Sequence, residues 1–143
     1  MSDREAIDFV LDSWAVLAFL DGEPGGERVR QLFLSAQAGQ CSLGLSLINL
    51  GEVAYVVERE RGFMVVHEVL SWIKSLPVTI LPAGESEVLA AAHLKAHNRL
   101  AYADAMAAAT AVAWGARLVT GDPEFLALEN KEITLEWIGP LRE

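Results

Sequence analysis

Short apolar runs alternate with longer segments of helical periodicity along this chain, and the alternation limits the fold more than any other feature. The apolar runs that predict strands are residues 7–11, 41–45, 78–81, 117–120 and 133–138. Helices are predicted between them, at residues 14–20, 27–38, 47–61, 63–75, 85–98 and 102–114. Strands separated by helices favour a parallel sheet of four or five strands with helices on its faces.

Length and composition predict one domain and no membrane association. The chain has 143 residues, which fits a single domain spanning 1–143. Its longest uncharged apolar stretch, 105–116, is far shorter than the ~20 residues that a bilayer-spanning helix needs. The single cysteine, Cys41, cannot form an internal disulfide. We therefore expect a cytoplasmic protein.

The net charge of the chain leaves its class of partner open. Eleven Lys and Arg against twenty Asp and Glu give −9, whereas a plain nucleic-acid-binding module is basic. The protein therefore either does not touch nucleic acid or does so through bound divalent cations that reverse the local field. A basic protein partner is equally compatible with this surface.

Four carboxylates differ from the other acidic residues because their sequence neighbours are apolar or tightly turned. Most acidic residues lie in mixed polar runs such as 58–61 and 129–132, which are typical of solvated surfaces. The four that do not are Asp12, Glu52, Asp104 and Asp122. Two of them, Asp12 and Asp122, come at or just past the ends of predicted strands, where ligands bind in open parallel sheets.

Three of the four carboxylates also have an ordinary structural explanation. Asp12 and Asp104 could cap or begin helices, and Asp122 could serve a Gly-Asp-Pro turn. Glu52 is harder to dismiss, because a carboxylate amid Leu, Val and Ala needs a partner. Asn49 lies three residues earlier on the same helical face and could orient it.

Taken together, the four carboxylates favour a metal site. Carboxylates gathered in one cleft repel one another, and their pKa values rise unless cations hold them. Hard oxygen ligands favour Mg²⁺ or Mn²⁺. Such ions can activate water and stabilise the leaving oxygen in phosphodiester hydrolysis. The candidate function is therefore that of a metal-dependent nuclease.

Four motifs, in this order, resemble those of PIN-domain proteins, and more narrowly the VapC-type toxins of prokaryotic toxin–antitoxin pairs. They are VLDSWAVLAFL at 10–20, SLINLGEV at 46–53, NRLAYADAMAAA at 98–109 and RLVTGDPEF at 117–125. Each motif alone is weak, but the ordered set covers nearly the whole chain. The resemblance implies a three-layer α/β/α sandwich around a parallel sheet.

The resemblance also implies roles for individual residues. Asp12 and Asp104 match the principal metal-binding aspartates, and Glu52 and Asp122 match the rest of the family's acidic quartet. Ser13 and Thr120 match hydroxyl positions that support this centre. The family cleaves single-stranded or looped RNA with Mg²⁺ or Mn²⁺. Its toxins typically form homodimers and are silenced by a cognate antitoxin that covers the cleft, often with a basic side chain, which would suit a charge of −9.

One residue departs from the family pattern. Trp14 is bulkier than the small or hydroxyl residue common at this position, and we interpret it as core packing. Three cations, Lys95, Arg99 and Arg117, are candidates for phosphate contacts.

Other functions are compatible with parts of this pattern. An aspartyl-phosphate phosphatase would need an aspartate at position 14, which is Trp14. A receiver-like module would need an acid beside Asp12 and a lysine ending a late strand, where the chain has Ser13 and Thr120. A PIN fold used as a non-toxin nuclease, or only for protein binding, remains an alternative.

Overall fold

The computed structural model describes residues 6–141, which contain five strands, six α-helices and one 3₁₀ helix. The strands are β1 (Phe9–Leu11), β2 (Leu43–Ser46), β3 (Val78–Leu81), β4 (Arg117–Thr120) and β5 (Leu135–Trp137). The α-helices are α1 (Ser13–Leu20), α2 (Gly26–Gln37), α3 (Leu47–Arg61), α4 (Phe63–Ser75), α5 (Glu85–His97) and α6 (Tyr102–Trp114), and the 3₁₀ helix is Pro123–Leu128.

All five strands form one parallel sheet in the order β3-β2-β1-β4-β5. The two central strands, β1 and β4, pair directly, with Leu11 opposite Val119. The residues that follow β1 and β4 therefore emerge side by side at the same edge of the sheet, which we call the carboxyl edge. The opposite edge, where the strands begin, is the amino edge.

Each face of the sheet is covered by its own hydrophobic core. Neighbouring residues on a strand point to opposite faces, so Leu11 and Val119 pack into the core that lies against α1–α4. Val10 and Leu118 pack into the other core, against α5 and α6. Two helical layers around a parallel sheet confirm the predicted three-layer α/β/α architecture.

The alanine-rich helix α6 lies directly against the sheet. Residues 105–109 are all at most 2% exposed, and small side chains allow a helix axis to approach its neighbours closely. This packing fixes the position of the first turn of α6, which carries Asp104.

Three predicted strands and one segment differ from the sequence-based expectation. β1 begins at Phe9 rather than at residue 7. β2 begins at Leu43 rather than at residue 41 and extends to Ser46, whose hydroxyl accepts from the backbone N–H of Ile48 and caps α3. β5 is shorter than 133–138. The 3₁₀ helix was not predicted. Within residues 6–141, no helix is both long enough and apolar enough to cross a membrane.

Candidate metal centre at the carboxyl edge

The fold brings the predicted carboxylates to the carboxyl edge from four different elements. Asp12 directly follows β1, and Asp122 follows β4 after one intervening residue. Glu52 lies in the second turn of α3, and Asp104 lies in the first turn of α6. Residues separated by more than one hundred positions thus surround one site.

Asp12 is almost completely buried, with 1% of its surface exposed. One carboxylate oxygen accepts from the backbone N–H of Ala15 at 2.8 Å, so Asp12 does cap α1. The other oxygen accepts from the hydroxyl of Thr120. Burial raises the pKa of Asp12 to about 8, and the nearby charges of Asp104 and Asp122 add to the rise, against the opposing effect of its hydrogen bonds.

Thr120 connects two of the carboxylates. Its hydroxyl donates to Asp12 and accepts from the backbone N–H of Asp122 at 3.0 Å. Thr120 itself is fully buried. This side chain therefore fixes the end of β4 relative to the end of β1.

Glu52 and Asn49 are each bonded to another element rather than to one another. The hydroxyl of Ser13 donates to a Glu52 carboxylate oxygen, joining α1 to α3. The amide nitrogen of Asn49 donates to the carbonyl of Ala103 at 3.0 Å, joining α3 to the residue before Asp104. Ser13 thus orients Glu52, the role that helical spacing had suggested for Asn49.

Three carboxylates come close enough to share one ion. One oxygen each of Asp104, Asp122 and Glu124 lies within 4.8 Å of the others. Burial and the charges of Asp122 and Glu52, together with a hydrogen bond to Glu124, raise the pKa of Asp104 to about 7. Glu52 and Asp12 lie close enough to interact with this group: the charge of Glu52 raises the pKa of Asp104, and the charges of Asp104 and Asp122 raise the pKa of Asp12.

Glu124 is the site residue that the sequence-based reasoning missed. Asp122 caps the 3₁₀ helix by accepting from the backbone N–H of Glu124 at 3.0 Å. The same turn brings the Glu124 side chain to Asp104. An acid two residues after Asp122 was a visible signal, but it carried meaning only with the unpredicted 3₁₀ helix.

The residues present fit a hard divalent cation. Every ligand atom in the group is a carboxylate oxygen, which suits Mg²⁺ or Mn²⁺. Like charges at this distance raise the pKa of Asp104, and a cation would relieve the repulsion. The buried amide oxygen of Asn49 adds a polar atom without a hydrogen-bond partner among the described residues.

Comparison with known proteins agrees with this geometry. The family model described as PIN domain matches residues 9–131. The chain belongs to the PIN domain family. No curated protein sequence matches it at a significant level.

Several solved structures share the fold of this PIN domain. VapBC2 from Rickettsia felis, bound to a promoter DNA fragment, matches with a TM-score of 0.71 and 20% identity, covering 91% of this chain and 98% of that chain. DNA-bound VapBC from Salmonella typhimurium matches with a TM-score of 0.71 and 19% identity, over 92% and 98%. VapC20 from Mycobacterium tuberculosis, described as a sarcin-ricin loop cleaving toxin, matches with a TM-score of 0.67 and 17% identity, over 88% and 98%.

The candidate phosphate-binding cations are distributed differently from the acids. Arg117 begins β4 and so lies at the amino edge of the PIN domain, where its guanidinium donates to the carbonyl of Leu135. This position is at the opposite edge from the carboxylates and gives no support to the predicted phosphate contact there. Lys95 donates to the carbonyl of Leu100, in the loop before α6.

Trp14 is only half-buried in the PIN domain, so it is not simply a core residue. Its indole ring packs against Gly25 and Gly121, and it also lines an open groove between α1, the α1–α2 turn and the segment after β5. Gly121 immediately precedes Asp122, so the ring borders the acidic centre.

Proposed function

We propose that this PIN domain is a Mg²⁺- or Mn²⁺-dependent endoribonuclease that cleaves single-stranded or looped RNA and is the toxin of a type II toxin–antitoxin pair. The observation that carries the proposal is the convergence of five carboxylates on the carboxyl edge. They are Asp12, Glu52, Asp104, Asp122 and Glu124.

The five carboxylates have different proposed roles in binding the ion. Asp104 and Asp122 would ligate it with Glu124, since their oxygens already lie within reach of one another. Asp12 and Glu52 would supply further ligand oxygens, with Asp12 and Asp104 as the principal ligands and the exposed Glu124 as an outer one. A bound Mg²⁺ or Mn²⁺ supplies Lewis acidity toward a phosphoryl oxygen and lowers the pKa of water.

Hydroxyl side chains keep two of the carboxylates in place. Thr120 holds Asp12 in one orientation, and Ser13 does the same for Glu52. Such partners of metal ligands fix the geometry and tune the affinity of a site. Asn49 keeps α3 against the start of α6 and so sets the separation of Glu52 from Asp104.

RNA as the substrate agrees with the electrostatics when the metal is included. A surface of −9 repels phosphate, so the attraction must come from the bound cations. The motifs resemble those of RNA-cleaving toxins, and the solved structure of VapC20 with the same fold is described as that of a toxin that cleaves the sarcin-ricin loop.

A cognate antitoxin is the proposed inhibitory partner. Structures with the same fold from Rickettsia felis and Salmonella typhimurium are VapBC complexes. The carboxyl edge of this chain offers clustered carboxylates to which a basic antitoxin side chain would be complementary. Such a segment would compete with the divalent cation for the same oxygens.

A homodimer is proposed through one face of α3. Leu47 and Tyr55 are 51% and 55% exposed, and both lie on the helical face that Gly51 leaves open. Phe63 and Met64 extend this apolar surface into the start of α4. Exposed apolar patches of this kind are typical of protein interfaces. A cytoplasmic location is proposed with this assembly.

Cleavage assays test the proposed function directly. Purified protein is incubated with single-stranded and hairpin RNAs in Mn²⁺, and in parallel with EDTA. We expect cleavage in Mn²⁺, none in EDTA and none by Asp104→Asn. The matched control is Asp8→Asn, the same substitution at the amino edge, which should cleave as the native chain does. Metal-independent cleavage, or full activity of Asp104→Asn, would contradict the proposal, and antitoxin binding without any cleavage would favour the protein-binding alternative.

A further inference from the structure

An open groove beside Trp14 is a cavity that the proposed chemistry does not use, and none of the five carboxylates lines it. Its volume is about 650 Å³, within the range of small-ligand sites. It is lined by α1, by the α1–α2 turn, by Arg28 and by the segment after β5. Trp14 connects the groove to the metal centre, because its ring also lies against Gly121, which directly precedes Asp122.

The indole ring of Trp14 is seated against bare backbone. A Cβ atom on Gly121 would lie 2.3 Å from the ring, and one on Gly25 would lie 3.1 Å from it. Gly139 in turn packs against Gly121, where a Cβ atom would meet its carbonyl oxygen at 2.7 Å. Glycine at these positions lets the ring lie flush with the turn that carries Asp122. The aromatic wall is therefore preformed at a fixed distance from the centre.

We infer that this groove is a nucleobase subsite, in which one base of the RNA, next to the scissile phosphate, stacks on Trp14. The inference rests on the proposed ribonuclease function. Bases of single-stranded RNA are recognised largely by stacking on aromatic side chains. The groove offers such a ring beside the metal centre.

The charge of the protein gives a reason why an RNA substrate needs this contact. With a net charge of −9, the general attraction between basic residues and phosphates that dominates most nucleic-acid binding is missing. Binding energy must then come from the metal ions and from uncharged contacts. The groove has the composition for the second of these, because Leu17, Ala18 and Ile138 line it with Trp14.

The charged groups at the groove add no strong phosphate site, because its one cation, Arg28, is paired and the other two groups, Asp21 and Glu23, are acidic. Arg28 lies 3.4 Å from Glu136, and Asp21 is bonded to Arg61. A phosphate would have to compete with Glu136 for Arg28, whereas a neutral base would not. An uncharged planar ligand therefore suits the groove better than a phosphate group.

The test uses random-sequence single-stranded RNA cleaved in Mn²⁺, with the products sequenced. The native chain should show a base preference at one position beside the cut, and Trp14→Leu should remove that preference while cleavage persists. Trp14→Phe, which keeps an aromatic wall, should retain it. The control is Trp72→Leu, which removes a half-buried tryptophan of α4 that stacks on Phe19, at the opposite end of α1 from Trp14.

RNA substrates that lack one base test the subsite on the native chain, so this test does not depend on whether a variant folds. An abasic nucleotide at the preferred position should weaken binding to the native chain about tenfold, the size expected of one stacked base. Trp14→Leu should bind the abasic RNA and the intact RNA with nearly the same affinity.

Native cleavage with no effect of the abasic nucleotide would overturn the subsite and leave the proposed nuclease function intact. Loss of antitoxin binding by Trp14→Leu with unchanged RNA preference would overturn it in favour of a protein-docking groove. Absence of any native cleavage would instead overturn the proposed function and the subsite with it.

Discussion

Asp8 and Asp12 stand at the two ends of β1 and differ in almost every physical property. Asp8, at the amino edge, is exposed and accepts from the backbone N–H and the hydroxyl of Ser42. Asp12, at the carboxyl edge, is buried beside other carboxylates and has a raised pKa. The two residues have the same chemistry and lie four positions apart. Only the topology of the sheet separates a solvated aspartate from one that needs a cation.

The largest difference between the two ends should appear in catalysis. Asp12→Asn should lower Mn²⁺-dependent RNA cleavage by more than about 100-fold, the upper cost of losing a mere partner of a metal ligand. Asp8→Asn should leave cleavage unchanged, because its neighbours at the amino edge do not belong to the centre. Single-turnover cleavage of one RNA by both variants makes the comparison. Equal losses in the two would mean that the edge carrying the aspartate does not matter.

A smaller effect, measured as a loss of Mn²⁺ affinity, is expected when the carboxyl edge keeps its carboxylates but loses a hydrogen bond to one of them. Thr120→Val removes the hydroxyl that joins Asp12 to Asp122, and we expect Mn²⁺ affinity to fall by about 10- to 100-fold. Thr110→Val is the matched control, since its buried hydroxyl bonds only to the carbonyl of Met106 within α6. If both variants lost Mn²⁺ affinity alike, general destabilisation would explain the result.

The metal-free protein should lose stability as the pH rises. Burial and repulsion raise the pKa of Asp12 to about 8 and that of Asp104 to about 7, from a usual 3.8. The folded chain therefore binds more protons than the unfolded chain over this interval, and its stability falls from about pH 4 to pH 8. Urea unfolding in EDTA measures this slope.

Asp104→Asn measures the contribution of Asp104 to the pH dependence of the stability. Without metal at pH 8, the variant should have a free energy of unfolding on the order of 1–2 kcal/mol higher than that of the native chain. The gain is this small because Asp104 is partly exposed and solvent screens its charge. In saturating Mn²⁺ the native chain should instead be the more stable of the two, since only the native chain binds the ion fully. A native stability that stays flat between pH 4 and pH 8 would show that neither burial nor repulsion raises the pKa values of these carboxylates.

The smallest effect is expected at the exposed member of the acidic group. Glu124→Gln should weaken Mn²⁺ binding by only about 3- to 10-fold, because water can replace a ligand at an open position. Equilibrium titration with Mn²⁺ measures the change. A loss as large as that of Asp12→Asn would mean that Glu124 is a principal ligand rather than an outer one.

The sequence predicted the fold well because the periodicity of strands and helices is a local pattern. Strand and helix periodicity located all five strands and six α-helices, and apolar neighbours singled out Asp104. Contacts between distant segments could not be predicted in this way. Helical spacing paired Asn49 with Glu52, whereas the fold joins Asn49 to Ala103, 54 residues away.

Two other residues also differ from the sequence-based expectation. Glu124 joins the site only through the short 3₁₀ helix, whose periodicity leaves no clear signal in the sequence. Arg117 was a candidate for a phosphate contact, but it begins β4 and therefore lies at the amino edge, away from the carboxylates.

Calorimetric titration with Mn²⁺ at pH 7 tests the central claim that the carboxyl edge is a divalent-cation site. The account predicts that the native chain and Asp8→Asn bind Mn²⁺ with the same affinity and release protons as they do so, because the raised pKa values of Asp12 and Asp104 fall when the ion binds. Asp104→Asn should bind at least about 100-fold more weakly. Equal affinity in Asp104→Asn and the native chain, or binding without proton release, would contradict the account.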